Sequence, residues 1–524
     1  MRYRYNARKY FLSMLAAAAS KKPSKCVYSS PHPLPERKAM NAPQQVVISP
    51  DTEIKMQEAL KVQRESYIEE GFVSAETRID RLNRAIDVLV RHADRISEAI
   101  NKDFVCRPDQ INLMTDVAAS IGSMKHCRKH LKKWMKNEKR PSTFPLGLLG
   151  GRSHIQYQPK GVVGIVAPWN FPVAMVFQPL AGILAAGNRA MIKPSEFTPE
   201  TSKVIEEIVA EAFDPTEVTT FSGGPEVGQA FSALPFDHMI FTGATNIARH
   251  VLTAAARNLV PVTLELGGKS PVVISRSADL EQAIERVMVG KTLNAGQICL
   301  APDYLLVPEE QLEEAISLAT KLVGQMYTSL RDNNQYTAVI NERHHKRLSG
   351  YLEDAEQRGC RIVPLNPANE DFSAGTSKIP PTLIVSPETD ALCMEEEIFG
   401  PLLPIRTYKD FDETIDFINA NPRPLAAYYF GTDKSEEEAF LHRTTSGGVC
   451  INDVIFHIAQ EDMPFGGVGP SGMGSYHGIE GFKTFSHAKS VYSQTLKFNV
   501  AKLGGVLPPY GKATDKNIKA QIKS

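Results

Sequence analysis

The 524-residue chain has no apolar run approaching the ~20 residues that a membrane-spanning helix requires, so no transmembrane segment is expected. It also lacks a charge of one sign. Its 59 basic and 59 acidic residues cancel, leaving no global field to recruit nucleic acid or an anionic membrane, and the expected partner is a small molecule. Cysteine is scarce: seven residues, at positions 26, 106, 127, 299, 360, 393 and 450, odd in number and without a Cys-x-x-Cys pair. That pattern excludes a disulfide-stapled scaffold and fits a reducing, cytoplasmic compartment. Histidines form no cluster at metal-ligand spacing, so no metal is expected. After residue 40 there is neither a short-period repeat nor a low-complexity tract, which excludes a solenoid. The first 35 residues contain no Asp or Glu, carry Arg2, Arg4, Arg8 and Lys9, and include a short apolar run, Tyr10–Ala19. This is the texture of a signal or transit peptide. Scattered thiols do not suit secretion, and residues 1–39 are therefore expected to precede a working start near Met40 and to stand outside the fold.

What is present is enough chain for two or three domains, since a single core stops growing near ~250–300 residues. Apolar residues at Ile79, Leu82, Ile86, Leu89, Ala93, Ile96 and Ile100 predict one amphipathic helix over 75–100. A Pro/Gly-rich patch, Pro141 to Gly151, closes this helical region. Beyond it, short apolar runs (162–166, 190–193, 218–221, 238–241, 260–264) alternate with helix candidates near 173–186, 199–213, 225–234 and 246–257. This is the rhythm of βαβ units and a parallel sheet covered on both faces. Thr198-Pro199-Glu200 predicts a capped helix start, and Gly187 a helix stop. A second alternating region spans about 270 to 447, with strands at 271–274, 304–307 and 447–451, so two α/β domains are expected. The last ~20 residues, rich in Lys and Gly, are expected to be loosely held.

Three segments carry chemistry. Cys299 lies in Asn294-Ala-Gly-Gln-Ile-Cys-Leu-Ala-Pro, beyond Gly296, where a missing side chain lets another backbone approach. An exposed thiol in such a bend serves as a nucleophile if its thiolate is stabilised. Glu265 ends an apolar strand just before Leu266-Gly267-Gly268, at the edge where open α/β sheets place their crevices. Its apolar neighbours are expected to raise its pKa, suiting it to act as a base on water. Asn170 is flanked by Pro168 and Pro172, which restrict its backbone and hold an amide that stabilises a developing oxyanion. Phe241-Thr-Gly243-Ala244 passes from strand to helix, aiming backbone N–H groups at a phosphate, although the third glycine of the dinucleotide fingerprint is missing. Lys193 and Glu196 follow the second strand, where dinucleotide folds meet the adenosine ribose. A glutamate there favours NAD over NADP.

Together these motifs resemble the aldehyde dehydrogenase superfamily over about residues 50 to 495. The resemblance implies an α/β fold of two Rossmann-like domains with a small bridging, oligomerising β segment. The NAD-binding domain would span 40–266, with a bridging segment near 145–160, and the catalytic domain 267–450. Residues 451–524 would return to the cofactor domain, add a bridging strand and form the tail. It further implies Cys299 as nucleophile, Glu265 as general base and Asn170, with the Cys299 backbone N–H, as oxyanion hole. Trp169, Gly243 and Ala244 would lie along the pyrophosphate and Lys193 and Glu196 at the adenosine ribose. Leu266 would lie at the cofactor, and Glu397 and Phe399 at the nicotinamide ribose, of NAD or, alternatively, NADP. The block from Asn452 through Pro464-Phe-Gly-Gly-Val-Gly-Pro-Ser-Gly-Met-Gly-Ser-Tyr-His-Gly is similar to the branch of class 3 and fatty aldehyde dehydrogenases. His457-Ile-Ala-Gln-Glu-Asp-Met-Pro-Phe within it resembles the bacterial coniferyl aldehyde dehydrogenases. An aromatic or medium-chain aldehyde substrate, a homodimer and a soluble chain are implied. Ala248 departs from the glycine usual in the strand-to-helix turn, and its methyl either tightens helix packing or crowds the cofactor. An acylating enzyme that hands its product to coenzyme A is disfavoured by Glu265, and a catalytically silent relative by the retention of Cys299, Glu265 and Asn170.

Overall fold

Val162–Val166, buried for all but its last residue, is the first strand of a six-stranded sheet in the computed structural model, which describes residues 49–373 and 375–523. The basic segment 1–39 lies outside the described residues. From this central strand the chain steps outward through Arg189–Lys193 and Val218–Thr220. It then crosses to the other side for His238–Thr242 and Val262–Glu265, all pairing in parallel. The reversal places a topological switch point between Val162–Val166 and His238–Thr242, and ligands of doubly wound sheets bind outside the carboxyl ends of strands at such a point. Gly472–Met473 adds a short antiparallel edge against Glu265 and Leu264.

A seven-stranded sheet follows, in the order Arg361–Pro364, Thr382–Val385, Leu402–Tyr408, Tyr304–Pro308, Pro271–Ile274, Ala426–Phe430, Gly448–Ile451. It is parallel except for Arg361–Pro364, which pairs antiparallel at one edge. A third sheet joins Glu138–Arg140, Arg152–Pro159 and Ser486–Ser493 in antiparallel register. The helix Ala174–Ala186 is apolar all round except for Gln178 and is buried along its whole length, as its sequence demands. It ends at Gly187, whose φ of 89° is the left-handed cap that glycine adopts without strain.

The structure corrects three local expectations. The helix expected over 75–100 is two helices, Ala75–Arg91 and Ala93–Phe104, separated by His92 at φ −106° and ψ 14°. The apolar spacing continues through the break because Leu89 before it and Ile96 and Ile100 after it pack into the same core. The side chain of Thr198 does not cap Pro199–Ala212. Asp103 does so from the end of the neighbouring helix, accepting the N–H of Glu200 at 3.0 Å and of Thr201 at 2.8 Å. A carboxylate is a stronger acceptor than a hydroxyl, and it ties two helices together. Finally, the strand expected from 260 begins at Val262, since Pro261 has no N–H to give the ladder.

Candidate active site

The loops at the carboxyl ends of the first sheet carry most of the residues singled out above. Trp169 and Asn170 follow Val162–Val166, Lys193 closes Arg189–Lys193, Gly243 follows His238–Thr242, and Glu265 closes its own strand. The N–H of Gly243 donates to the Glu265 carbonyl at 3.0 Å, so the turn and the carboxylate-bearing strand end are locked together. Ala244 opens the helix Thr245–Ala256 and no side chain caps it, which leaves its N-terminus available to an anion. Lys193 Nζ donates to Glu196 Oε2 at 2.6 Å, so the buried lysine and the more exposed glutamate form one polar pair beside that crevice. Ala248 is buried in the core behind this turn, against the helix and sheet, so its methyl tightens packing. These features fit a dinucleotide: free N–H groups for its phosphates and an acceptor for its ribose hydroxyls.

Cys299 arrives from the other half of the molecule. The helix Leu280–Thr292, capped by Asp279, runs into Asn294, Ala295 and Gly296, three successive residues at positive φ (50°, 49° and 70°). At Gly296 a Cβ would meet the Gly400 carbonyl oxygen at 2.2 Å, so only glycine allows this loop to lie on the Glu397–Gly400 segment. The loop is pinned from below. Gln297 is fully buried, donates to the Asn294 and Ala338 carbonyls and accepts from the Ile340 N–H, while Tyr428 Oη donates to the Leu300 carbonyl at 2.6 Å.

Asn170 reaches across to the same loop, its Nδ2 donating to the Gln297 carbonyl at 3.1 Å. An amide has two N–H donors, and one is thereby used to orient the other. Trp169 packs edge-on against Phe399 at 5.3 Å and lies 5.0 Å from the His344 ring, joining the two halves. Phe399 is held at a φ of 45°. The Glu397 carboxylate lies on Gly267, where a Cβ would come within 2.2 Å of its oxygen. Leu266 is buried in the core of the first sheet and its N–H donates to the Ser471 carbonyl at 3.1 Å.

The electrostatics of the crevice are set by burial. Glu265 is almost wholly buried and neither carboxylate oxygen has a partner among the described residues. Desolvation lifts its pKa well above the ordinary carboxylate value. Burial also raises Glu397, with Asp303 adding to the effect, to about 8. The Cys299 thiol is pushed up to about 12, first by burial and then by the nearby Glu397 and Glu265 charges. At rest it is a protonated thiol within electrostatic range of an unpartnered base.

Residues that the sequence reading passed over hold this arrangement. Arg107 and Asp116, both fully buried, form an ion pair at 2.9 Å. Arg107 also donates to the Asn170 carbonyl at 3.1 Å, and Asp116 accepts the N–H groups of Val173 and Ala174 at 3.0 and 3.1 Å, capping the buried helix. Asp116 stands in a π-helical segment, Asn112–Ala118, a geometry frequent near functional sites. Tyr476, from the Ser-Tyr-His-Gly stretch, lies within electrostatic range of both Glu265 and Cys299.

A doubly wound sheet facing a second α/β sheet across such a crevice defines a dinucleotide-type dehydrogenase fold. Residues 42–491 match the aldehyde dehydrogenase family, and the chain belongs to that family. Among curated relatives, it is 55% identical over 487 residues to a probable coniferyl aldehyde dehydrogenase of Caulobacter vibrioides, covering 92% of this chain and all of that one. It is 52% identical over 458 residues to a coniferyl aldehyde dehydrogenase of a Pseudomonas species, covering 87% and 94%. Among solved structures, the substrate-bound state of Staphylococcus aureus AldH superposes with a TM-score of 0.83 at 36% identity, covering 89% of this chain and 99% of that one. A Mycobacterium tuberculosis aldehyde dehydrogenase complexed with NAD+ superposes with a TM-score of 0.75 at 28% identity, covering 84% and 90%.

Proposed function

We propose that the chain oxidises an aromatic, coniferyl-type aldehyde to its carboxylic acid through a thioester on Cys299, with NAD as cofactor. The observation that carries the chemistry is the unpartnered, buried Glu265 carboxylate within electrostatic range of the Cys299 thiol. The substrate class rests on the likeness to the two coniferyl aldehyde dehydrogenases, and the cofactor on the Glu196 acceptor beside Lys193. In this reading the six-stranded half binds the dinucleotide and the seven-stranded half supplies the nucleophile. The uncapped helix at Ala244 and the Gly243 turn take phosphate, Trp169 flanks it, Lys193 and Glu196 take the adenosine ribose, and Glu397 and Phe399 the nicotinamide ribose beside Leu266.

Cys299 gives its thiol proton to solvent water, and its sulfur bonds to the aldehyde carbon. The oxygen becomes an oxyanion, held by the free N–H of Asn170 and the Cys299 backbone N–H. Bound nicotinamide supplies the acceptor for the hydride that leaves the carbon. The acyl group then remains on sulfur as a thioester. Glu265 takes a proton from water, the resulting hydroxide adds to the acyl carbon, and the carbon–sulfur bond breaks to release acid and free Cys299. The test is absorbance of the reduced cofactor with cinnamyl-type, benzaldehyde-type and straight-chain aldehydes, using NAD and NADP in parallel. Highest kcat/KM for a cinnamyl-type aldehyde with NAD is expected, and preference for straight chains would replace the substrate class.

A further inference from the structure

Tyr476, which lies within electrostatic range of Glu265 and Cys299, also lines a small cavity that the chemistry above leaves unused. The cavity is lined by Ser123, Gln178, Glu461, Tyr476, His477 and Phe485, and its centre has room for about one water-sized group. Its polar atoms are unspent. Gln178 Oε1, Glu461 Oε2, Tyr476 Oη and both ring nitrogens of His477 are buried without a partner among the described residues, although such groups are normally paired. Ser123 donates to the other Glu461 oxygen and so leaves Oε2 as the unengaged one. His477 is held at a φ of 142°, a conformation foreign to side-chain-bearing residues, and is clamped by Phe465 stacked at 5.1 Å and by Tyr476 at 4.7 Å. Strain of this kind persists where the surroundings impose it, as they do at ligand clamps.

The geometry points to this cavity as a subsite for a single phenolic hydroxyl at the far end of an aromatic aldehyde, with Glu461 accepting its proton-bearing end. The inference rests on the aromatic-aldehyde reading and makes it more specific. A phenol hydroxyl gives one donor and two acceptor lone pairs, which Glu461 Oε2 or His477 can take and Tyr476 Oη can fill. The lining contains no lysine or arginine, so it does not suit a carboxylate or phosphate. Burial raises the Glu461 carboxyl and lowers His477 to about 4, leaving His477 neutral at pH 7, as a neutral guest requires. A straight aliphatic tail would leave these polar atoms buried and unpaired. Phe485, Tyr476 and His477 give the lining an aromatic side, and Phe465 packs behind Tyr476 and His477.

The test is a one-pot competition between 4-hydroxycinnamaldehyde and cinnamaldehyde, which reads the ratio of their kcat/KM values whatever fraction of enzyme is active. Wild type should favour the hydroxylated aldehyde at least tenfold, since a site built to hydrogen-bond a hydroxyl discriminates strongly against its absence. Glu461→Leu should collapse that ratio to near one, and Glu461→Gln, which keeps an acceptor, should restore much of it. 4-Methoxycinnamaldehyde, with no donor and a larger group, should compete poorly against 4-hydroxycinnamaldehyde in wild type. A wild-type ratio near one, or a ratio unchanged in Glu461→Leu, overturns the subsite while leaving aldehyde oxidation intact. Turnover of straight-chain aldehydes with neither cinnamaldehyde consumed overturns the aromatic reading and the subsite with it.

Discussion

At Cys299 and Glu265 the same burial that makes a residue useful also costs the fold. Cys299→Ala should abolish formation of reduced cofactor. Glu265→Gln should give a burst of about one equivalent followed by slow turnover, because the acyl-enzyme forms but water is not activated; a stopped-flow trace separates the two. Glu265 also makes a stability prediction of definite sign. Its folded pKa is raised by desolvation, so between the unfolded value and the folded one the native state holds a proton that the unfolded chain has released. Stability from this group is present below pH 4.5 and is lost as pH rises through the folded pKa. Glu265→Gln removes the loss, so the variant should melt higher than wild type at pH 8 and show no advantage near pH 4. Equal melting temperatures at pH 8 would mean the carboxylate is solvated in the folded protein. For catalysis the sign is opposite: turnover limited by water activation should rise with pH well above the usual carboxylate range.

Among the elements, the buried helix Ala174–Ala186 and the loop before it depend on Asp116 and Arg107. Removing Asp116 leaves a fully buried guanidinium without its anion, and breaking such a pair costs about 3–5 kcal/mol. Asp116→Ala should therefore lower the urea midpoint markedly. Because Arg107 also holds the Asn170 carbonyl, kcat of the surviving folded fraction should fall as well. Nothing in the linear sequence announces this pair, since its partners at 170, 173 and 174 lie more than fifty positions away. The α/β alternation, the stop at Gly187 and the turns at 170, 243 and 265 at the carboxyl ends of strands were legible because each depends on a few neighbouring residues. Less legible was whatever depends on distant partners: Asp103 displacing Thr198 as a cap, Ala248 turning its methyl into the core, or His92 interrupting an apolar stripe that runs on across the break. Tyr476 and His477 stood in a stretch read only as a whole, and the place of Tyr476 within electrostatic range of Cys299, and of both residues in the lining of the small cavity, emerged from packing.

At the scale of the whole molecule, the three-stranded sheet ends in a strand, Ser486–Ser493, that pairs only with Arg152–Pro159 among the described residues. Most of its residues are exposed, and an exposed strand edge is a template for pairing with another chain. The homodimer that the family resemblance implies would use this edge, and its symmetry would place the same strand from both copies together. Sedimentation should give twice the 57.8 kDa chain mass at micromolar concentration. Hydrogen exchange can then say whether the edge is responsible. In a dimer closed through this strand, the amides of Ser486–Ser493 not bonded to Arg152–Pro159 are protected, and their exchange should accelerate on dilution as dimer dissociates. The amides bonded to Arg152–Pro159 should be indifferent to concentration, which makes them the internal control. A dimer whose outward amides exchange fast at every concentration must close through another surface, and a monomeric mass at all concentrations would remove the dimer altogether.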